Sequence, residues 1–232
     1  MITKYGRLNI IEFETIYQSN VITKRILAVY PLVARWYSRV RFQIMSGEML
    51  DTIEQHLPVE GTVLDVGCGF GLFTLYLALK RPDCKFIGME LSQRRVDEAK
   101  RAARALQIQN VEFICADLAS SNIPYQPNAA YCMDLLHHMT PQGGDRLLER
   151  LFEVLKPGSP MIVKDITTRP RLKLYYTFLL DLLVNPKDSF YYRSNEAWLA
   201  RLAQVGFTSM NIYPLKNYLP YPHFLLVGSK PK

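Results

Sequence analysis

The chain has 232 residues, 49% of them hydrophobic, a formal net charge of +7 and four cysteines. A chain of this length and apolar share can bury a full core without a disulfide or metal staple, and it fits one domain with additions better than two independent domains. Cys68, Cys84, Cys115 and Cys132 show no C-x-x-C spacing, so they read as small core residues in a reducing compartment, not as a disulfide frame or a zinc site.

In chain order, residues 10–17 and 21–30 carry helix-like periodicity. Pro31 can begin a further helix in which Trp36, Val40 and Ile44 share a face, with Arg35, Arg39 and Arg41 beside them. Such a helix suits a membrane surface, and it suits packing on a core or over a site better. From residue 60 onward strand and helix patterns alternate, the mark of an α/β, doubly wound, mostly parallel sheet. Strands are expected over 62–66, 85–90, 111–115, 129–133 and 160–166, and helices over 70–80, 92–107, 143–156 and 194–205. Residues 207–215 and 223–228 read as a closing pair. The expected division is an N-terminal helical extension over 1–58 and a core domain over 59–232, with an insertion at about 168–193.

Within that insertion, residues 172–184 form an apolar stretch too short and too interrupted to span a bilayer. Apolar residues go nearly all the way round this helix, so burial on several sides is expected. A lid over a substrate site, touching a membrane or a second subunit, satisfies that pattern, and so does core packing or a dimer interface. Tyr191, Tyr192 and Arg193 follow and could line the same cleft.

The most informative segment is Val63-Leu64-Asp65-Val66-Gly67-Cys68-Gly69-Phe70-Gly71. It reads as a strand entering a tight turn whose glycines let the backbone approach a ligand, followed by a helix with free N–H groups at its start. The spacing is G-x-G-x-G, not the G-x-G-x-x-G of nicotinamide sites, and no Gly-Lys-Ser/Thr follows to make a P-loop. The second strand ends at Glu90, about 20 residues past the first glycine, where an acid can accept hydrogen bonds from a ribose diol. The third ends at Asp117.

Together, V-L-D-V-G-C-G-F-G, G-M-E-L-S, F-I-C-A-D-L, residues 128–139 and the segment 151–163 with its L-K-P-G resemble the class I S-adenosylmethionine-dependent methyltransferases. The resemblance covers residues 60–166 closely and 195–230 loosely. It implies a Rossmann-like seven-stranded sheet and S-adenosylmethionine as cofactor. Gly67, Cys68, Gly69 and Gly71 would line its methionine part, and Asp65 would hold the turn and help anchor the amino group. Glu90 and Leu91 would bind the ribose, Asp117 with the N–H of Leu118 would read the adenine edge, and Met133 would border the cofactor. Gly158-Ser159 departs from the family's Gly-Gly, and Asn128 from its usual Asp.

Methyl transfer is an in-line displacement in which the protein aligns the partners and excludes water. A base is needed only where the acceptor must lose a proton. His137 and His138, just past the fourth strand, are placed for that role or for a structural one. Lys164 and Asp165 end the fifth strand and point to the same edge, as substrate-contacting groups or as an ion pair and cap. Tyr175, Phe178, Tyr191 and Tyr192 are the candidate acceptor contacts from the insertion. No His/Cys/Asp cluster has metal spacing, so no metal is expected.

The acceptor reads as a small lipophilic or amphipathic molecule handled in the cytoplasm or at the inner membrane face, with a homodimer as a further option. An RNA or protein acceptor rests on charge alone. The arginines and lysines of 94–104 are interspersed with Asp97 and Glu98, a solvated helix face more than a nucleic-acid footprint. A non-catalytic binding module is the third reading.

Overall fold

The structure, a computed structural model, describes residues 10–45, 47–117, 123–184, 189–215 and 221–232. Seven strands form one sheet in the order β3-β2-β1-β4-β5-β7-β6. Strands β1 (Gly61–Val66), β2 (Cys84–Glu90), β3 (Val111–Cys115), β4 (Ala129–Met133) and β5 (Pro160–Ile166) are parallel. β7 (His223–Ser229) runs antiparallel between β5 and β6 (Thr208–Pro214). β1 has β2 on one side and β4 on the other. Its carboxyl end is therefore the switch point where open α/β sheets bind ligands.

Alternation along the strands sorts side chains to two faces. Val63, Tyr131, Met133, Ile162 and Leu225 join one core cluster, with Ile26 and Tyr30 of α1 (Ile10–Val29) and its end, Ala34 of α2 (Leu32–Ile44), and Tyr76 of α4 (Leu72–Lys80). Leu64, Cys132, Val163 and Leu226 join the other, with Leu147 and Leu151 of α6 (Pro141–Val154) and Trp198 and Leu202 of α8 (Asn195–Val205). The strand ends that carry the candidate site are thus clamped between two apolar layers.

Helix boundaries follow their caps. Ser92 accepts from the Arg95 N–H and starts α5 (Gln93–Ala105); Thr140 accepts from the Gly143 N–H and, with Pro141 at the first position, starts α6 two residues earlier than periodicity suggests. Ser194 caps α8. α4 starts at Leu72 because Gly69 and Gly71 both hold positive φ. α1 runs unbroken across 10–29, and α3 (Gly47–Gln55) was not foreseen.

The insertion is a helix, α7 (Arg171–Val184). The expectation that it is buried on several sides is corrected. It packs by one stripe only, where Leu174, Leu180 and Asp181 are partly covered and Thr177 is buried. Leu172, Tyr175, Phe178, Leu179 and Leu182 stay exposed. Among the described side chains the inward stripe centres on Thr177, with Leu174 and Asp181 a turn to either side.

Candidate functional site

At the switch point the backbone N–H groups of Gly67 and Cys68 bond the Met89 carbonyl at 2.8 and 3.0 Å, tying the turn to β2. The Gly69 N–H donates to Glu90 Oε2 at 3.0 Å, and the Ser92 N–H to Oε1 at 3.0 Å. Glu90 is therefore held in place, buried, at the sheet edge. Gly69 has φ +57°, and a Cβ built on it meets nothing within 4 Å, whereas one on Gly71 would strike the Phe113 ring at 2.7 Å. So Gly71 serves packing, and Gly69 leaves open space over the turn.

Asp65 is buried beneath the turn and accepts from Thr74 Oγ1 at 2.5 Å and the Tyr131 hydroxyl at 2.9 Å. It ties α4 and β4 to β1. Burial pushes its carboxyl up to about 7, against the pull of those two hydroxyl bonds. Cys68 is partly buried, Leu91 exposed, Asp117 exposed after β3, and Met133 buried at the end of β4. Leu118 lies outside the described residues. The open turn, the fixed Glu90 and the N-terminus of α4 suit a ligand with an amino-acid end and a ribose; the chemistry of these groups fits an adenosyl cofactor.

Beyond β4 the chain turns through Asp134, at φ +52°, into a short 3-10 turn over Leu136–His138. His137 is 3% exposed, and its Nδ1 bonds Asp165 Oδ1. Asp165 also accepts from the N–H groups of Leu136 (3.0 Å), His137 (3.3 Å) and Ile166 (2.7 Å), so the carboxylate is immobilised by backbone. Burial alone would lower the His137 pKa; the Asp165 charge and bond reverse this and hold it above the usual histidine range. Nε2 faces Asp181 Oδ2 of α7 at 3.9 Å, too long for a hydrogen bond.

Asp181 of α7 and residues 190–192 lie against this pair. Tyr192 stacks on His137 at 5.7 Å between centroids and donates its hydroxyl to Asp181 at 2.7 Å. The Tyr191 N–H bonds the His137 carbonyl. Phe190 packs against His138, Tyr192 and Phe178. Of the candidate acceptor residues, Asp165 and Tyr192 meet His137 directly, Tyr191 meets it through backbone, and Phe178 meets the group through Phe190. Tyr175 points to solvent, 63% exposed, and is not brought to the cluster.

Lys164 faces elsewhere than its neighbour Asp165. It is wholly buried and bonds Asp134 Oδ1 at 2.5 Å, while Arg41, reaching in from α2, bonds Oδ2 at 2.8 Å. Burial would raise the Asp134 carboxyl, but Lys164 and Arg41 hold it well below the usual carboxylate range. Burial, with Arg41 adding repulsion, keeps the Lys164 ammonium below its ordinary value. Sequence reasoning missed Arg41, Asp134, Asp181 and His223 as site residues. Asp134 had a usable signal, an acid directly after a switch-point strand; the others come together only through tertiary packing.

A methyltransferase domain family model matches residues 63–158. The chain is 30% identical over 181 residues to a ubiquinone biosynthesis O-methyltransferase of Coxiella burnetii, covering 72% of this chain and 75% of that protein. It is 31% identical over 109 residues to a tRNA (guanine-N(7)-)-methyltransferase of Rubrobacter xylanophilus, covering 42% of this chain and 48% of that protein, so it spans about half of that relative. Its fold is similar to that of the S-adenosylmethionine-dependent methyltransferase SibL in its apo form, with a TM-score of 0.70 and 19% identity over 91% of this chain and 62% of that one. With the glycine turn, Glu90 and the switch-point geometry in place, the chain belongs to the class I S-adenosylmethionine-dependent methyltransferases.

Proposed function

We propose that the chain methylates a hydroxyl oxygen of a small, apolar or amphipathic acceptor, with His137 taking the hydroxyl proton at Nε2. The observation that carries this reading is the buried His137–Asp165 pair at the carboxyl edge of the sheet, beneath α7. With Nδ1 engaged by Asp165, the proton-accepting nitrogen is the one turned toward α7. Asp165 fixes the tautomer and stabilises the imidazolium that forms. The cofactor, when bound, supplies an activated methyl carbon. His137, Asp165 and the aromatic wall of Phe190 and Tyr192 position the acceptor and exclude water.

An acceptor with an apolar body is supported by the exposed apolar surface of α7, Leu172, Phe178, Leu179 and Leu182. The same surface would let the protein work at the inner face of a membrane or against a second copy. The named activity of the Coxiella relative, O-methyl transfer in ubiquinone biosynthesis, supports an oxygen acceptor.

The test is tritiated-methyl transfer to cell extracts separated into small-molecule, lipid, RNA and protein fractions, with His137→Ala alongside wild type. Label is expected in the small-molecule or lipid fraction, as an ether, and lost in the variant. Label confined to RNA or protein overturns the reading.

A further inference from the structure

A second polar cluster stands on the sheet face opposite to Asp165. Lys164 on β5 and His223 at the start of β7 lie on one face, since Ile166 pairs with His223 and Lys164 with Leu225 across the antiparallel ladder. Arg41 reaches the same place from α2 through Asp134. His223 is 9% exposed, and both of its ring nitrogens are buried with no hydrogen-bond partner among the described residues. Its neighbour Tyr221 stacks on it at 5.1 Å and meets Tyr176 of α7 at 6.1 Å, so the cluster sits where α2, α7 and the start of β7 converge.

Buried polar atoms in folded proteins nearly always have a partner. A buried imidazole with both nitrogens unmet among the described residues marks a place that a polar ligand completes. The surroundings say which kind. Lys164 and Arg41 share one carboxylate, Asp134, and each keeps further N–H donors. The other carboxylates nearby are occupied: Asp165 by His137 and three backbone N–H groups, Asp181 by the Tyr192 hydroxyl. After burial, the strongest influence on His223 is repulsion by Lys164, with Arg41 and His137 acting in the same sense and Asp134 alone opposing; its pKa falls far below the histidine range. The imidazole is therefore neutral, with one N–H to give, in a positive local field.

We infer that His223, Lys164 and Arg41 form a carboxylate-binding subsite beside the methyl-transfer centre, so that the acceptor carries a carboxylate as well as the hydroxyl that is methylated. The inference rests on the proposed function for where the acceptor sits. A carboxylate could also come from the amino-acid end of the cofactor, and the experiment separates the two sources.

The chain has four histidines, so selective 13C labelling at the imidazole Cε1 gives a spectrum of four peaks, and His223→Phe identifies one of them. With the protein saturated by S-adenosylhomocysteine, benzoate is titrated in, and methyl benzoate in a parallel sample. The expected result is a saturable shift of the His223 peak with benzoate, none with the ester, and affinity weakened about tenfold or more in Arg41→Gln. Equal shifts with both probes, or no shift with benzoate, overturn the subsite. A benzoate shift seen without S-adenosylhomocysteine and abolished by it assigns the carboxylate to the cofactor and overturns the inference about the acceptor. These readouts need no turnover. Failure of the methyl-transfer test with the benzoate shift intact would count against the proposed function and not against the subsite.

Discussion

His137 and Asp165 bond Nδ1 to Oδ1 although they come from different segments, one from the turn after β4 and the other from the end of β5. Parallel pairing of β4 with β5, Met133 opposite Lys164, brings the two ends level. The consequence is a histidine with one committed nitrogen and one turned toward Asp181 of α7.

Asp165→Asn should lower kcat about 10²–10⁴-fold while leaving cofactor affinity within about twofold. The amide can still accept from the Leu136 and His137 N–H groups, so the turn survives and the tautomer does not. Single-turnover kinetics and calorimetry check both halves. A kcat near wild type would remove the base role from His137.

The pH dependence follows from the same pair. The His137 pKa is raised in the folded protein, chiefly by Asp165 against burial. Its contribution to stability is thus fully present below about pH 6.5 and is lost as pH rises through the raised value. Activity should run the other way, rising with pH through that value as Nε2 becomes free to take a proton. The rate profile should lose its rising limb in His137→Gln.

Gly69 and Gly71 should part company when substituted. Both adopt positive φ, so a side chain at either strains the backbone by about 1–2 kcal/mol. Gly69→Val adds no clash with protein, so it should stay folded and lose cofactor binding. Gly71→Val drives into Phe113 and Ala99 and should lower the melting temperature far more. Calorimetric titration and thermal melts on the two variants decide it.

Glu90→Ala should weaken cofactor binding ten- to a hundredfold, about 1.5–3 kcal/mol for a charge-assisted bond. The Gly69 and Ser92 N–H groups also lose their acceptor, so a small fall in melting temperature should accompany it. Affinity unchanged with only the melting effect would make Glu90 a support for the turn and nothing more.

Lys164→Met should destabilise by about 3 kcal/mol, the low end for breaking a buried pair, because Arg41 still holds Asp134. Adding Asp134→Leu should deepen the loss, because Arg41 is then left without its carboxylate. Urea unfolding of the single and double variants measures the coupling.

How much of this was legible in the sequence depends on whether a feature is local. The five parallel strands, the glycine turn and Glu90 at the end of β2 are set by nearest-neighbour sterics, hydrogen bonding and period-two burial, which a linear pattern records. The placement of His137 and His138 at the carboxyl edge follows from the alternation of strand and helix. The partners of His137 do not, because Asp165 and Asp181 lie on separate elements and only the stacking of β4, β5 and α7 brings them near. The exposure of α7 was misjudged for the same kind of reason: its sequence records how apolar it is, and not how many neighbours reach it. Arg41, Asp134, Lys164 and His223 come from four elements spread over most of the chain. Their meeting was decided by the antiparallel insertion of β7 beside β5 and by Arg41 reaching Asp134 from α2, where burial in a low-dielectric interior turns separate charges into one coupled cluster.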